Sequence, residues 1–215
     1  MMNHRLESTN NSIKATILST VKLSFAILAF MVVGISFTAN ATDYNVDKSA
    51  STVKWEAKKV TGQHNGTISF ANGSISAKKG TITGGTLVID MKSIVDVDLT
   101  DAGYNAKLIG HLSSDDFFGV EKFPTATLVV KKATAISGDD YKIAGDLTIK
   151  GVTNPFEFTA KVKQSDDNLN AEGTMTINRA KFGVKYGSSS FFQGLGDKVI
   201  YDDFTLAFSI VAQKK

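Results

Sequence analysis

The sequence predicts an all-β fold, an antiparallel β-barrel with one short helix, and three observations lead to that prediction. Apolar and polar residues alternate along most of the chain after residue 41, as they do in half-buried strands. Gly-, Asn- and Asp-rich turns divide the chain into about eight to ten such segments, the short spacing of barrels and sandwiches. Only Asp101 to Leu112 has helical apolar spacing and a helix-initiating residue at its start.

The first 41 residues predict a signal peptide. Leu23 to Phe37 is a largely apolar run of 15 residues, with Lys14 and Lys22 before it. Ala39-Asn40-Ala41 follows as a small-residue cleavage site. Because a membrane-spanning helix needs about 20 residues, an uncleaved membrane anchor is the less favoured alternative.

Cleavage after Ala41 leaves residues 42–215 as one domain, long enough to bury a sizeable core. We expect this domain to lie in the periplasm or to be secreted, with no stable membrane span. The predicted signal peptide holds three basic residues and one acidic residue, so its removal lowers the net charge from +3 to +1. A near-neutral domain with no basic cluster offers no surface for nucleic acid.

The composition and the motifs argue against catalysis. The chain has no cysteine, which excludes disulfides, thiolate metal ligands and cysteine nucleophiles. No serine stands in a nucleophile-elbow pattern, and no Gly-rich loop joins a strand to a helix as phosphate sites require. We therefore expect neither an enzyme nor a bound cofactor.

The domain contains only two histidines, His64 and His111. Neither has a partner at the spacing of metal ligands, so a zinc site would need carboxylates from distant parts of the chain. We therefore expect no metal site.

The first half of the domain predicts a row of short hairpins. Ser51 to Lys58 and Gly66 to Phe70 alternate cleanly. Asn72-Gly73, Lys79-Gly80 and Gly84-Gly85 stand between alternating runs, and Asn-Gly and Gly-Gly are hairpin turn signals. A β-solenoid is the alternative, but the glycine period drifts and does not recur later in the chain.

The second half predicts further strands, the clearest of which is Phe156 to Lys163. Lys150-Gly151 with Asn154-Pro155 predicts the turn before it. The other predicted strands are Thr125 to Lys132, Tyr141 to Ile149, Gly173 to Asn178, Ala180 to Tyr186 and about Val199 to Val211.

The polar face of these strands is rich in Lys, Glu and Asp and has no aromatic girdles, so it belongs to water and not to a barrel lumen in a membrane. The apolar face then points inward. Its large side chains are Trp55, Ile68, Phe70, Leu87, Ile89, Leu128, Phe156, Phe158, Phe182, Phe204 and Phe208. Periodicity does not separate a packed core from a tunnel, because eight strands can enclose either.

The segment from Leu108 to Leu128 predicts a lid at one end of the barrel. It joins the end of the helix to a strand start through a turn cluster, and it contains Phe117, Phe118 and Phe123. The Gly/Ser-rich stretch from Gly187 to Gly196 carries two more adjacent phenylalanines. We expect these two segments to frame one opening, since loops at barrel mouths carry binding residues.

Two cationic or titratable side chains are candidates for contact with a ligand head group. Arg179 is the only arginine of the domain, and a guanidinium can hold a phosphate or a carboxylate through two hydrogen bonds. Its structural alternative is a salt bridge at a turn. His111 lies at the helix end, where the alternative is a capping role.

Three separated motifs resemble one known family. They are HLSSDDFFGVEKFPTATL from His111 to Leu128, GDLTIKGVTNP from Gly145 to Pro155, and INRAKFGVKYG from Ile177 to Gly187. In this order they resemble the YceI-like family, lipocalin-like lipid-binding proteins of the bacterial periplasm, over Tyr44 to Ala212. Many members carry an Arg-Asp pair just ahead of the His-Leu dipeptide. Here that stretch reads AKLIG, so no role of that pair is carried over.

The resemblance implies a lipocalin-like barrel that binds, sequesters or transports a long apolar lipid of polyisoprenoid or fatty-acyl type; a homodimer is compatible with it. The implied apolar lining is the inward set above together with Phe117 and Phe118, with His111 and Arg179 at the head group.

The alternative is a β-sandwich adhesion or carbohydrate-binding module with a packed core. Sugar sites need exposed aromatic platforms, and the only tryptophan, Trp55, is on the inward face.

The exported protein should begin at Thr42, because the cleavage site follows an apolar run of signal-peptide length. N-terminal sequencing of the exported protein checks this. A product that still carries Leu23 to Phe37 would contradict both the cleavage and the soluble form.

Overall fold

The computed structural model describes residues 41–78 and 80–215. The expected signal peptide therefore lies outside the described residues, apart from Ala41. The described chain forms nine strands and one α-helix, α1 (Ala102–Ser113), with 3-10 turns at Arg179–Phe182 and Gly196–Lys198. The strands are β1 (Thr42–Val46), β2 (Thr52–Lys59), β3 (Gly62–Lys78), β4 (Thr81–Asp96), β5 (Thr125–Ser137), β6 (Asp140–Ile149), β7 (Val152–Gln164), β8 (Asn168–Asn178) and β9 (Ile200–Lys214). None of the described helices has the length and apolar character of a membrane span.

Strands β2 to β9 form a closed barrel. Each pairs antiparallel with the next, and β9 returns to pair with β2. The short β1 lies beyond the end of β2, where it pairs with both β3 and β9. This closed sheet confirms the predicted fold class. It makes the sandwich alternative wrong, because a sandwich has two separate facing sheets.

Alternation along the strands places the apolar side chains inside. In β6, Ile143, Gly145, Leu147 and Ile149 are buried, and the residues that alternate with them are more exposed. The predicted inward residues behave in the same way, since all of them are buried or half-buried against one core cluster. The polar face of the sheet meets water, as the sequence predicted.

The two ends of the barrel differ. At the end that carries β1, Tyr44, Leu169 and Ala212 are at most 2% exposed. The Tyr44 hydroxyl donates to the Ser165 carbonyl at 3.2 Å and accepts from Gln164 Nε2 at 2.9 Å. This end is a packed base. At the opposite end lie α1 and the segment that follows β8, and we call it the α1 end.

The helix prediction was accurate to one residue at each end. Asp101 is the N-cap, and its carboxylate accepts a hydrogen bond from the Tyr104 N–H at 2.9 Å. Such a cap satisfies one of the free N–H groups of the first turn. Asn105 donates to the Asp96 and Leu99 carbonyls, which ties the helix to the end of β4.

The hairpins predicted at Asn72-Gly73 and Gly84-Gly85 are wrong. Both pairs lie inside the long strands β3 and β4, whose register shifts at bulges nearby. A Cβ on Gly73 would lie 2.7 Å from Val46 Cγ2, and one on Gly85 would lie 2.8 Å from the Ser74 carbonyl oxygen. These glycines allow neighbouring strands to approach closely, which is the other common role of glycine in a strand.

Two predictions in the second half are also wrong. Asn154-Pro155 lies within β7, in a stretch that pairs only with β6, and proline is tolerated on such an open edge. The strand predicted from Ala180 to Tyr186 is instead a 3-10 turn followed by irregular chain. Gly183 has a φ of 74° there, a left-handed conformation that breaks a strand.

Gly66 is the position where the barrel should tolerate a side chain least. A Cβ there would lie 1.8 Å from the Val95 carbonyl oxygen and 2.8 Å from the Trp55 ring. Gly66→Ala should therefore lower the free energy of unfolding by at least about 1–3 kcal/mol. Gly110→Ala is the control, because nothing lies within 4 Å of that Cβ, and it should stabilise α1 by about 0.5–1 kcal/mol. Denaturant unfolding measures both, and equal effects would contradict the close approach.

Candidate functional site

A cavity of about 380 Å³ lies inside the barrel. Every strand from β2 to β9 contributes to its wall, together with α1 and the turns after it. The wall is almost entirely apolar. Ligand pockets for small molecules fall in the same size range, about 300–1,000 Å³.

Most of the predicted lining residues contact this cavity. They are Trp55, Ile68, Phe70, Leu87, Ile89, Phe117, Phe118, Leu128, Phe158, Phe204 and Phe208. Phe156 and Phe182 do not line it. Phe182 is 2% exposed in the turn after β8, and Phe156 is half-buried with its ring centroid 5.9 Å from that of Phe158.

Several other lining residues are absent from the predicted set. Examples are Ile143, Leu147 and Ile149 of β6, Met175 of β8, and Leu108 and Leu112 of α1. Their signal was present in the same alternation and helical spacing, since Tyr141 to Ile149 was predicted as a strand and Asp101 to Leu112 as a helix. The base of the barrel at Tyr44, Leu169 and Ala212 does not line the cavity, so the cavity stops above it.

His111 lies in an aromatic cluster at the α1 end of the cavity. Its ring centroid is 4.4 Å from that of Tyr186 and 5.4 Å from that of Phe117, both in edge-on geometry. Phe117 in turn contacts Phe118 at 5.4 Å. Within residues 41–78 and 80–215 neither imidazole nitrogen of His111 has a hydrogen-bond partner, although His111 lines the cavity. It is a polar group in an apolar wall with its hydrogen-bonding capacity free.

Arg179 also lines the cavity, but backbone carbonyls occupy most of its donors. The guanidinium donates to Val184 at 2.9 Å, to Ile200 at 2.9 Å and to Tyr201 at 3.2 Å. Asp202 Oδ1 lies 3.4 Å from Nη2. These bonds tie the turn after β8 to the start of β9.

The surroundings of Arg179 are those of a buried structural cation. The residue is 3% exposed, and its guanidinium stacks 5.2 Å from the Phe117 ring. Burial lowers the pKa of Arg179, and the Asp202 carboxylate opposes that effect. Because the pKa of a guanidinium lies far above neutral pH, the side chain remains charged at neutral pH.

The ladder between β7 and β8 stops short of the α1 end, which leaves a gap in the backbone hydrogen bonding of the barrel. These strands pair only from Ala160 to Gln164, with Leu169 to Gly173. Nearer the α1 end, Val152 to Thr159 pairs only with β6, and Thr174 to Asn178 pairs only with β9. Phe158 and Met175 line the cavity on the two sides of this gap.

The two segments expected to frame an opening differ in their relation to the cavity. In the part of the lid that precedes β5, five residues line it, namely Leu108, His111, Leu112, Phe117 and Phe118. None of residues 187–196 does, and only the flanking Tyr186, Ile200 and Tyr201 reach it. Phe191 and Phe192 are 45% and 49% exposed.

A polar cluster stands at the edge of this cavity. His64, which lines the cavity, is grouped with Asp96 and Asp98, each offering one ligand atom within 4.8 Å of the others. Burial raises the pKa of the Asp96 carboxyl, although the hydrogen bond from the Leu99 N–H opposes the rise. The distant carboxylates that a metal site at His64 would require are therefore in place.

Comparison with known proteins agrees with this geometry. A family model described as the YceI-like domain matches residues 44–212. UPF0312 proteins of Staphylococcus aureus, strains USA300 and NCTC 8325, are 38% identical over 86 residues, which are 37% of this chain and 47% of theirs. The chain thus matches about half the length of these curated relatives.

Solved structures share the fold at lower identity. BcnA of Burkholderia cenocepacia aligns with a TM-score of 0.61 and 24% identity, over 77% of this chain and 98% of its own. A polyisoprenoid binding domain from Saccharophagus degradans, implicated in plant cell wall breakdown, aligns with a TM-score of 0.58 and 17% identity, over 80% of this chain and 98% of its own. The YCEI protein of Campylobacter jejuni aligns with a TM-score of 0.51 and 23% identity, over 68% and 83%. With the family model matched over residues 44–212 and the closed barrel in place, the chain belongs to the YceI-like family.

Proposed function

We propose that the protein binds one long apolar chain, of polyisoprenoid or fatty-acyl type, inside the barrel and shelters or transports it in the periplasm. The observation that carries this proposal is the cavity, whose wall is apolar over nearly all of its surface, with His111 among its few polar residues at the α1 end. The polyisoprenoid binding domain of Saccharophagus degradans shares the fold, which supports an isoprenoid as one ligand class.

The energetics of burial fit a ligand that is mostly hydrocarbon. Each methylene group transferred from water contributes about 0.8 kcal/mol, so ten of them contribute about 8 kcal/mol. That equals the free energy of a dissociation constant near 1 μM, before the entropy lost on binding is subtracted. A long tail therefore binds with few polar contacts, and the apolar wall of this cavity provides few.

We infer that a polar head group would lie at the α1 end, beside His111. A protonated or neutral imidazole can donate to a hydroxyl, a carboxylate or a phosphate. Arg179 is less available because three carbonyls accept from it. Its proposed contribution is to hold Phe117, on which its guanidinium stacks, in the cavity wall.

The tail could enter from the α1 end or through the gap between β7 and β8. Phe158 lies beside this gap and contacts Phe208 edge-on at 5.8 Å. Both rings line the cavity, so the tail of a bound ligand would pack against them. Truncation of Phe158 should therefore have different effects on stability and on lipid binding if the interior is a ligand tunnel than if it is a packed core.

Phe158→Ala should weaken lipid binding more than it weakens the ligand-free fold. A fully packed phenylalanine would lose about 3–5 kcal/mol of unfolding free energy on truncation, but Phe158 faces a cavity and has fewer packing partners to lose. The lipid-loaded wild type gains about 2.7 kcal/mol at a ligand concentration of 100 Kd, and the variant should lose most of that gain. Denaturant unfolding of delipidated protein, alone and with palmitate or geranylgeraniol, measures both quantities.

Phe182→Ala is the matched control. Phe182 is the same residue type, fully buried, and outside the cavity wall. Its truncation should cost about 3–5 kcal/mol whether or not lipid is present. If Phe158→Ala gives the same large, lipid-independent loss as Phe182→Ala, the barrel interior is an ordinary core and the binding proposal is wrong.

A further inference from the structure

Three side chains that could bind a metal meet at the edge of the cavity, although they come from different parts of the chain. His64 lies near the start of β3, Asp96 is the last residue of β4, and Asp98 follows two residues later. His64 Nδ1 is 3.0 Å from Asp98 Oδ2 and 3.9 Å from Asp96 Oδ2. The β3–β4 ladder brings them together, since Gly66 pairs with Asp96.

Asp96 provides the observation that points to a ligand. Its side chain is 0% exposed. One carboxylate oxygen, Oδ1, accepts from the Leu99 N–H at 2.8 Å and from Asn105 Nδ2 at 3.2 Å. The other, Oδ2, is buried and has no hydrogen-bond partner in the part of the chain that the structure describes. A buried carboxylate oxygen without a partner is costly, and this one is directed at His64.

Asp98 is held in a similar way, through one of its two carboxylate oxygens. Asp98 Oδ1 accepts from the Asn65 N–H at 2.7 Å, which leaves Oδ2 facing His64. Backbone and amide donors therefore fix both carboxylates from behind. Such outer hydrogen bonds orient the ligands of metal sites in proteins.

We propose that His64, Asp96 and Asp98 bind one divalent transition-metal ion, with Zn²⁺ as the best match. Bonds of about 2.0–2.2 Å to a tetrahedral zinc place the ligand atoms about 3.3–3.5 Å apart, and the two observed separations from His64 lie on either side of that range. An imidazole with two carboxylates also suits Zn²⁺ better than Ca²⁺ or Mg²⁺, which take oxygen ligands in larger numbers.

Three protein ligands leave one position of a tetrahedral ion open for water or for an anionic group. His64 lines the cavity, so the ion would lie against its edge. The site does not depend on the proposed lipid function, and its failure would leave that proposal untouched.

The competing account of the same geometry is a salt bridge between a protonated His64 and Asp98. It explains the separation of 3.0 Å, but it leaves Asp96 Oδ2 beyond hydrogen-bonding distance from the imidazole. A metal ion would satisfy all three groups at once.

Calorimetric titration of untagged protein, first treated with a chelator and then given Zn²⁺ chloride, tests the site. We expect one ion per chain and a higher Tm on binding, because an ion that binds only the native state stabilises it. His64→Gln and Asp98→Asn should each weaken Zn²⁺ binding at least about tenfold, the lower bound seen even when an outer hydrogen bond to a ligand is lost. Both residues are partly exposed, so the variants should remain folded, as circular dichroism would verify.

His111→Gln is the matched control, because His111 is the other histidine of residues 42–215 and lies outside the cluster. It should leave the Zn²⁺ affinity unchanged. A Co²⁺ spectrum of tetrahedral type that disappears in His64→Gln would support the ligand assignment independently. Absence of Zn²⁺ binding, binding that survives both cluster variants, or a loss equally large in His111→Gln would each overturn the proposal.

Discussion

The fold depends on closure of one sheet, and closure depends on β9. This strand pairs with β8 on one side and with β2 and then β1 on the other. Once the sheet closes, no long edge remains along β2 to β6, and each strand must send its apolar residues to the same interior. Barrel size then follows from strand number, and eight strands leave an interior that side chains can fill or that one small ligand can occupy.

The base and the α1 end use this interior in different ways. At the base, β1 adds a short strand and Tyr44 is buried. The Tyr44 hydroxyl makes hydrogen bonds with the Gln164 side chain and the Ser165 carbonyl. At the α1 end the ladder between β7 and β8 stops, and aromatic side chains of the lid line the cavity. The base is therefore packed, and the cavity lies between it and the α1 end.

Buried polar groups follow the same division. Among the described residues the buried polar side chains are those of Asp96, Arg179 and Ser188, and all three lie at the α1 end. Asp96 anchors α1 through Leu99 and Asn105, while Arg179 anchors the turn after β8 to β9. Each holds an irregular segment whose backbone carbonyls or N–H groups the barrel ladder does not satisfy.

The features of the fold that could be predicted from the sequence are those that depend on periodicity. The barrel, its inward face and α1 all follow from alternation or helical spacing, and Phe158 packs against the interior cluster, as that alternation predicted. The hairpin predictions based on glycine pairs were wrong because glycine occurs both in turns and where two strands approach closely. Gly73 and Gly85 lie in long strands for the second reason.

Periodicity along the sequence does not predict contacts between residues that are far apart in the chain. His64 and Asp98 are 34 residues apart, and only the β3–β4 register brings them together, so the sequence offered no ligand spacing to recognise. Arg179 is distinctive in the sequence as the only arginine of residues 42–215, but a single residue carries no sign of which carbonyls will surround it. The gap between β7 and β8 likewise depends on where two ladders end, which the alternation of either strand does not encode.

The central claim is that the barrel interior holds a hydrocarbon chain. Native mass spectrometry of the protein purified from the periplasm of its own host, without added lipid, tests it most directly. The account predicts one bound molecule per chain, released on denaturation and identified as a long-chain lipid or isoprenoid. A spectrum that shows only the bare chain, from protein handled without detergent or organic solvent, would contradict it.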